Sequence, residues 1–149
     1  MIQELIKGHV DVLEANGDDF SFLHSERDWQ NIQADEKVFP AVFLDMPVKS
    51  TPVILSGGAF QRSYNVVILF LYKSELDDDE VQRYASLRKA EEAQREFLIR
   101  LDNDDDNVKK FTPGESYQVQ NLFDVNLDGI VQPLNIIPRN SRGVCLPIS

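Results

Sequence analysis

Arg62-Ser-Tyr-Asn-Val-Val-Ile-Leu-Phe-Leu-Tyr72, together with the acidic turn behind it and the helical pattern that continues to Leu101, decides the fold. The run is β-branched and aromatic without a polar alternation, so a strand here is expected to be covered on both faces. Behind it, Leu76 precedes Asp77, Glu80 follows three residues later, and Val81 can fold back on Leu76, the pattern of a capping box with a hydrophobic staple. A helix is thus predicted to start near Asp78. Val81, Tyr84, Ala85, Leu87, Ala90, Ala93, Phe97, Leu98 and Leu101 recur at three- and four-residue steps and make one apolar stripe. The opposite face carries Asp79 with Arg83, Glu91 with Arg95 and Glu96 with Arg100, each acid four residues before its base. At about 1.5 Å per residue such a helix spans roughly 35 Å, enough to cover a sheet face.

Working outward, 149 residues suit one domain, 1–149, with a real core. The hydrophobic fraction is 42%, and no apolar run approaches the ~18 residues that cross a bilayer, so no membrane association is expected. The first residues interleave apolar side chains with Gln3, Glu4 and Lys7, unlike a secretory signal, which predicts an unsecreted product made in the cytoplasm. Cys145 is the single cysteine, which excludes an intrachain disulfide and a Cys-based zinc site and leaves a small core residue as its expected role. With 25 acidic against 15 basic residues the formal charge is −10, which opposes phosphate binding and sequence readout of nucleic acid. The same excess suits a surface past which DNA moves without sticking, or simply solvates exposed faces.

Met1 to Ala15 places Ile2, Leu5, Ile6, His9, Val12 and Leu13 on one side, and Asn16-Gly17 stops this first amphipathic helix. His9 sits at the stripe's edge with a packing role and no evident partner. Ser25 to Gln33 could form a helical turn that buries Trp29 and Ile32. His24 beside Ser25 and Glu26 supplies three catalytic residue types, but neighbours in sequence cannot bring their tips into relay geometry, so an exposed turn is expected. Val38-Phe-Pro-Ala-Val-Phe-Leu44 reads as a strand, with Pro40 arguing for an edge or bulge.

Asp45 to Gln61 reads as an extended hairpin or arm between neighbouring strands. Ile54, Leu55 and Phe60 on it either contact another chain or reach back into the core. Asp102-Asn-Asp-Asp-Asp-Asn107 imitates the front of a calcium loop, but Asn107 stands where glycine is needed and Pro113 where a bidentate Glu is needed. A solvated loop is predicted, continuing through Val108-Lys-Lys-Phe-Thr-Pro-Gly114. Lys109, Lys110 and Phe111 are its basic and aromatic spot and a candidate contact. Tyr117 to Phe123 alternates as a strand, Asn126-Leu-Asp-Gly129 supplies a turn signal, and Ile130 to Ile137 runs back as a hairpin. Val144-Cys-Leu146 is a candidate last strand. The predicted class is α+β: a mixed, mostly antiparallel sheet flanked by an N-terminal helix and one long amphipathic helix, with an extended arm.

This layout resembles the tail-terminator and head–tail joining proteins of tailed bacteriophages. The resemblance is carried by Val38-Phe-Pro-Ala-Val-Phe-Leu44, by the Tyr64–Tyr72 strand feeding the Asp77–Leu101 helix, and by Phe123-Asp-Val-Asn-Leu-Asp-Gly129. It implies a non-enzymatic virion protein, made in the bacterial host cytoplasm, that forms a homo-oligomeric ring against portal, neck or tail-tube proteins and lets DNA pass. Closure of such a ring requires a heterologous interface repeated by rotation. Ile54, Leu55, Phe60, Lys109, Lys110 and Phe111 are its candidate interface residues, and no cofactor is implied. A small acidic adaptor or inhibitor is the alternative reading. A carboxylate-dependent hydrolase is a third, opposed by two histidines, one cysteine, no phosphate loop and no nucleophile turn.

Overall fold

β4 (Phe60–Lys73) and β7 (Leu127–Pro138) run antiparallel as the long central pair, and every other strand but one borders one of them. The computed structural model describes residues 1–24, 39–74, 79–122 and 126–139. In chain order the remaining elements are α1 (Ile2–Asp11), a 3-10 turn (Ala15–Gly17), β1 (Ser21–Leu23), β2 (Ala41–Leu44), β3 (Lys49–Ile54), α2 (Glu80–Asp102), β5 (Val108–Pro113) and β6 (Tyr117–Leu122). The outer edge of β4 pairs with β3 along Phe60–Asn65 and with β2 along Ile68–Leu71; the outer edge of β7 pairs with β6 and then β5. All of these pairings are antiparallel; β1 adds to β2 in parallel. The result is an α+β fold with a mixed seven-stranded sheet.

Val66 to Tyr72 supplies both faces of the core, as a strand without polar alternation must. Val66, Ile68, Phe70 and Tyr72 face α1 and α2, where Ile6, Val10, Ala90, Ala93 and Phe97 close over them. Leu69 and Leu71 face the other way and join Leu23, Phe43, Leu127 and Val131 in a second cluster. The small side chains of Ala90 and Ala93 let α2 lie close to the sheet, and Phe97 stacks edge-on against Phe70 at 5.6 Å. A buried glutamine fixes the crossing: Gln94 donates to Gln132 Oε1 at 2.6 Å, while Gln132 Nε2 donates to the Gly114 and Pro133 carbonyls.

Several local expectations are corrected. The helix is capped two residues later than predicted, by Asp79, whose carboxylate accepts from the Gln82 amide while the Gln82 side chain accepts from the Asp79 amide. Leu76 and Asp77 lie outside the described residues. Val81, Tyr84 and Ala85 are exposed: at about 100° per residue they fall on the side of α2 opposite Leu87, Ala90, Phe97 and Leu101, and in the first turns it is Arg83 that faces the sheet. Of the three expected ion pairs, Glu96 with Arg100 forms at 3.4 Å; Arg95 takes Glu92, and Arg83 turns inward to the fully buried Asp128. α1 ends at Asp11 and buries Val10 in place of Val12, which is 50% exposed.

β2 begins after Pro40 and sits inside the sheet, so the proline marks neither an edge nor a bulge. Val108–Pro113 is a strand, not a loop: its alternation is hidden by a register shift between Val108 and Lys110. Asp128-Gly129 is not the hairpin turn but lies within β7 opposite Tyr72 and Leu71, and β6 and β7 close earlier, where Leu122 faces Leu127. Glycine is required at 129 by close approach, since a Cβ there would stand 2.0 Å from the Phe70 carbonyl oxygen. The expectations for Trp29, Ile32 and the Val144–Leu146 strand with Cys145 fall outside the described residues. No described helix is long and apolar enough to cross a membrane.

Candidate interaction surface

The β3–β4 hairpin is the arm anticipated from Asp45 to Gln61. All six β3 residues are exposed, and the register of β4 with β7 starts only at Tyr64, so residues 51–54 and 60–63 extend as a two-stranded ribbon. Pro52 is compatible with this placement because, among the described residues, β3 pairs with β4 alone and its outer edge needs no amide donor. The tip closes through the Leu55 amide donating to the Ala59 carbonyl, with Gly57 and Gly58 at φ 87° and 83° making the turn.

At the base of the arm lies a groove of about 590 Å³, within the range of binding clefts. Phe60, Arg62 and Tyr64 line it from alternate positions of β4, which period two places on one face. Leu55 comes from the arm tip, Leu5 from α1, Lys109 from β5, and Arg139 from just past β7. The Arg62 guanidinium lies 5.0 Å from the centre of the Phe60 ring, and Lys109 Nζ donates to Gln61 Oε1 at 2.9 Å, stitching β5 to the arm. Arg139 is held by its own amide, which donates to the Asn107 carbonyl, and by Nε, which donates to the Asp105 carbonyl.

Of the six residues singled out in the sequence, the fold brings Leu55, Phe60 and Lys109 into this groove. Ile54, 78% exposed, stands directly across from Phe60 in the hairpin register. Phe111 is half-buried against the helix-side core, and strand alternation puts Lys110 on the opposite face, so neither lines the groove. Sequence reading missed Arg62, Tyr64 and Arg139. The first two repeat at the same two-residue step as Phe60, a usable signal; Arg139 arrives only through the long β7 pairing.

The groove's electrostatics run against the rest of the chain. Among the described residues Arg62, Lys109 and Arg139 line it and no carboxylate does, in a protein of net charge −10. Aromatic and aliphatic walls under cationic groups suit a partner that is both acidic and apolar.

The other polar clusters join elements. His9 Nε2 lies 2.7 Å from Asp104 Oδ2, supplying the partner absent from the sequence reading, and the imidazole packs edge-on against Phe97. Asn107 Nδ2 donates to the second Asp104 oxygen, so the acidic turn is partly folded inward. His24 is not an exposed turn residue: it is half-buried, with Nδ1 3.0 Å from the Leu44 carbonyl oxygen. The Tyr72 hydroxyl donates to Asp18 and accepts from Asn16, whose amide also donates to the Lys89 carbonyl of α2. Burial raises the Tyr72 phenol well above its ordinary value; the Asn16 donor lowers it somewhat, and hydrogen bonding and proximity to Asp18 raise it further. Among the described residues no three His, Cys, Asp or Glu side chains gather as a metal site.

The sequence matches no known family model and no curated protein.

Proposed function

We propose that the chain is a structural subunit of a closed ring, a tail-terminator-like or head–tail connector component of a bacteriophage virion that joins the tail to the portal or neck and lets DNA pass. The observation that carries this reading is the arm: a ribbon beyond the central strand pair, exposed along all of β3 and bearing Ile54, Leu55 and Phe60 at 78%, 39% and 37% exposure. Large apolar side chains held out from the core by backbone pairing are costly on a monomer and useful in an interface. The net charge of −10 supports passage of DNA, because like charge keeps a polyanion from adhering.

Assembly through an arm that meets a different surface on the next copy is heterologous and closes when the rotation fits. Native mass spectrometry with light scattering across a concentration series tests this. A single closed species of fixed copy number is expected, or its appearance on adding portal or tail-tube protein. A monomer at all concentrations, alone and with those proteins, would overturn the reading.

A further inference from the structure

The groove and the solvent face at the start of α2 are complementary, and they stand at opposite ends of the molecule. Groove-lining Arg62 and the Tyr72 end of β4 are ten strand residues apart, about 33 Å at the usual rise. Tyr72 faces Asp128 across the sheet, and Asp128 holds Arg83 in the first turns of α2. The helix start therefore belongs to the far end. There, Asp79 and Glu80 are exposed acids, and Val81 and Tyr84 are 69% and 51% exposed. Arg83, one turn on from Asp79, reaches Asp128, so its charge points inward rather than out over these acids.

Resting on the ring reading, the geometry points to the occupant of the groove: the first two turns of α2 from a second copy of this chain. Glu80 meets the Arg62, Lys109 and Arg139 cluster, and Val81 and Tyr84 cover Leu55, Phe60 and Tyr64. Such a contact would cover the exposed Val81 and Tyr84, and it gives the cations gathered along this groove of an acidic protein a counter-charge. The other acidic stretch, the turn after α2, is a poorer occupant. It flanks the groove in the same copy, where the Asp105 carbonyl accepts from Arg139. A contact made by it would pair like ends and stop at a dimer, whereas opposite ends propagate head to tail.

Two variants of the full chain separate the surfaces: Arg62→Glu with Lys109→Glu spoils the groove, and Glu80→Lys with Val81→Lys spoils the helix start. All four positions are surface sites, and circular dichroism melts check that each variant is folded. Each alone is expected to lose self-association by about a hundredfold, the scale of juxtaposed like charges. An equimolar mixture is expected to recover association, because each variant keeps the surface that the other lacks and the two reversed surfaces carry opposite charge. If the groove variant does not fold, Arg62→Gln with Lys109→Gln is the substitute, and it too must weaken association.

Wild-type chain that assembles while either variant assembles equally well would overturn this docking and leave the ring standing; wild-type chain that never assembles would overturn both. A short single-stranded oligonucleotide whose binding is abolished by the groove variant would assign the groove to nucleic acid and equally overturn the proposal.

Discussion

Gly129 and Tyr72 carry more of the architecture than their places in the sequence suggest. Gly129 reads as a turn glycine because it follows Asp128, yet its φ is ordinary and its role is steric: a Cβ would meet the Phe70 carbonyl oxygen at 2.0 Å, near the Lys73 end of the central strand pair. Gly129→Ala is expected to destabilise the protein by about 3 kcal/mol, the range for overpacking a rigid site, as read from the urea midpoint. A change below about 0.5 kcal/mol would mean that the strands part easily there. Tyr72 gives a pH signature. Between about pH 10, where an unfolded tyrosine ionises, and the raised value of the buried phenol, the native state keeps a proton that the unfolded chain releases. Stability therefore falls as pH rises through that window. Tyr72→Phe is expected to flatten this alkaline limb while costing about 1 kcal/mol at pH 7, where Asn16 and Asp18 lose their partner. Denaturant unfolding at pH 7 and through pH 9 to 11.5 checks both; an unchanged alkaline slope would sink the assignment.

At the scale of elements, what was legible followed from local pattern, and what was not depended on partners distant in the chain. β4 was readable because no alternation in Val66–Tyr72 leaves one solution, burial on both sides. The arm was readable from its prolines, glycines and stranded apolar residues. β5 was not: a register shift after Val108 breaks its period, and only β7, some twenty-five residues on, makes it a strand. The start of α2 was misplaced because Asp77 with Glu80 and Asp79 with Gln82 both fit a capping box by spacing, and the helix forms on the second. Asp79→Ala is accordingly expected to cost about 1 kcal/mol in the denaturant midpoint. A neutral result would move the effective cap elsewhere. The misplaced stripe has a different origin: Val81 and Tyr84 are spaced as a helical stripe, but they lie across the helix from Leu87, Ala90 and Phe97, which form the face that the sheet covers.

For the whole molecule, folding and association draw on separate residues, which makes the proposed role separable from stability. The core closes over Val66–Tyr72 and its β7 partners, whereas the ribbon from 51–54 and 60–63 lies outside the β4–β7 register. Sequence reading found three of the groove's side chains because their exposure was visible as stranded apolar or basic spots. It missed Arg62 and Arg139 because they converge with Lys109 only when β4, β5 and the end of β7 are folded side by side. Ile54→Asp combined with Phe60→Asp is therefore expected to shift the unfolding midpoint by no more than about 1 kcal/mol, as surface substitutions do. The same change places two carboxylates on the arm, at and beside the apolar wall of the groove, and is expected to leave only monomer in light scattering at concentrations where the wild-type chain forms its closed species. If the double variant instead melts far below the wild type, the arm tip is part of the core and the separation fails. If it melts normally and still assembles, the arm is a bystander, and the ring, should one form, is built on some other edge of the sheet.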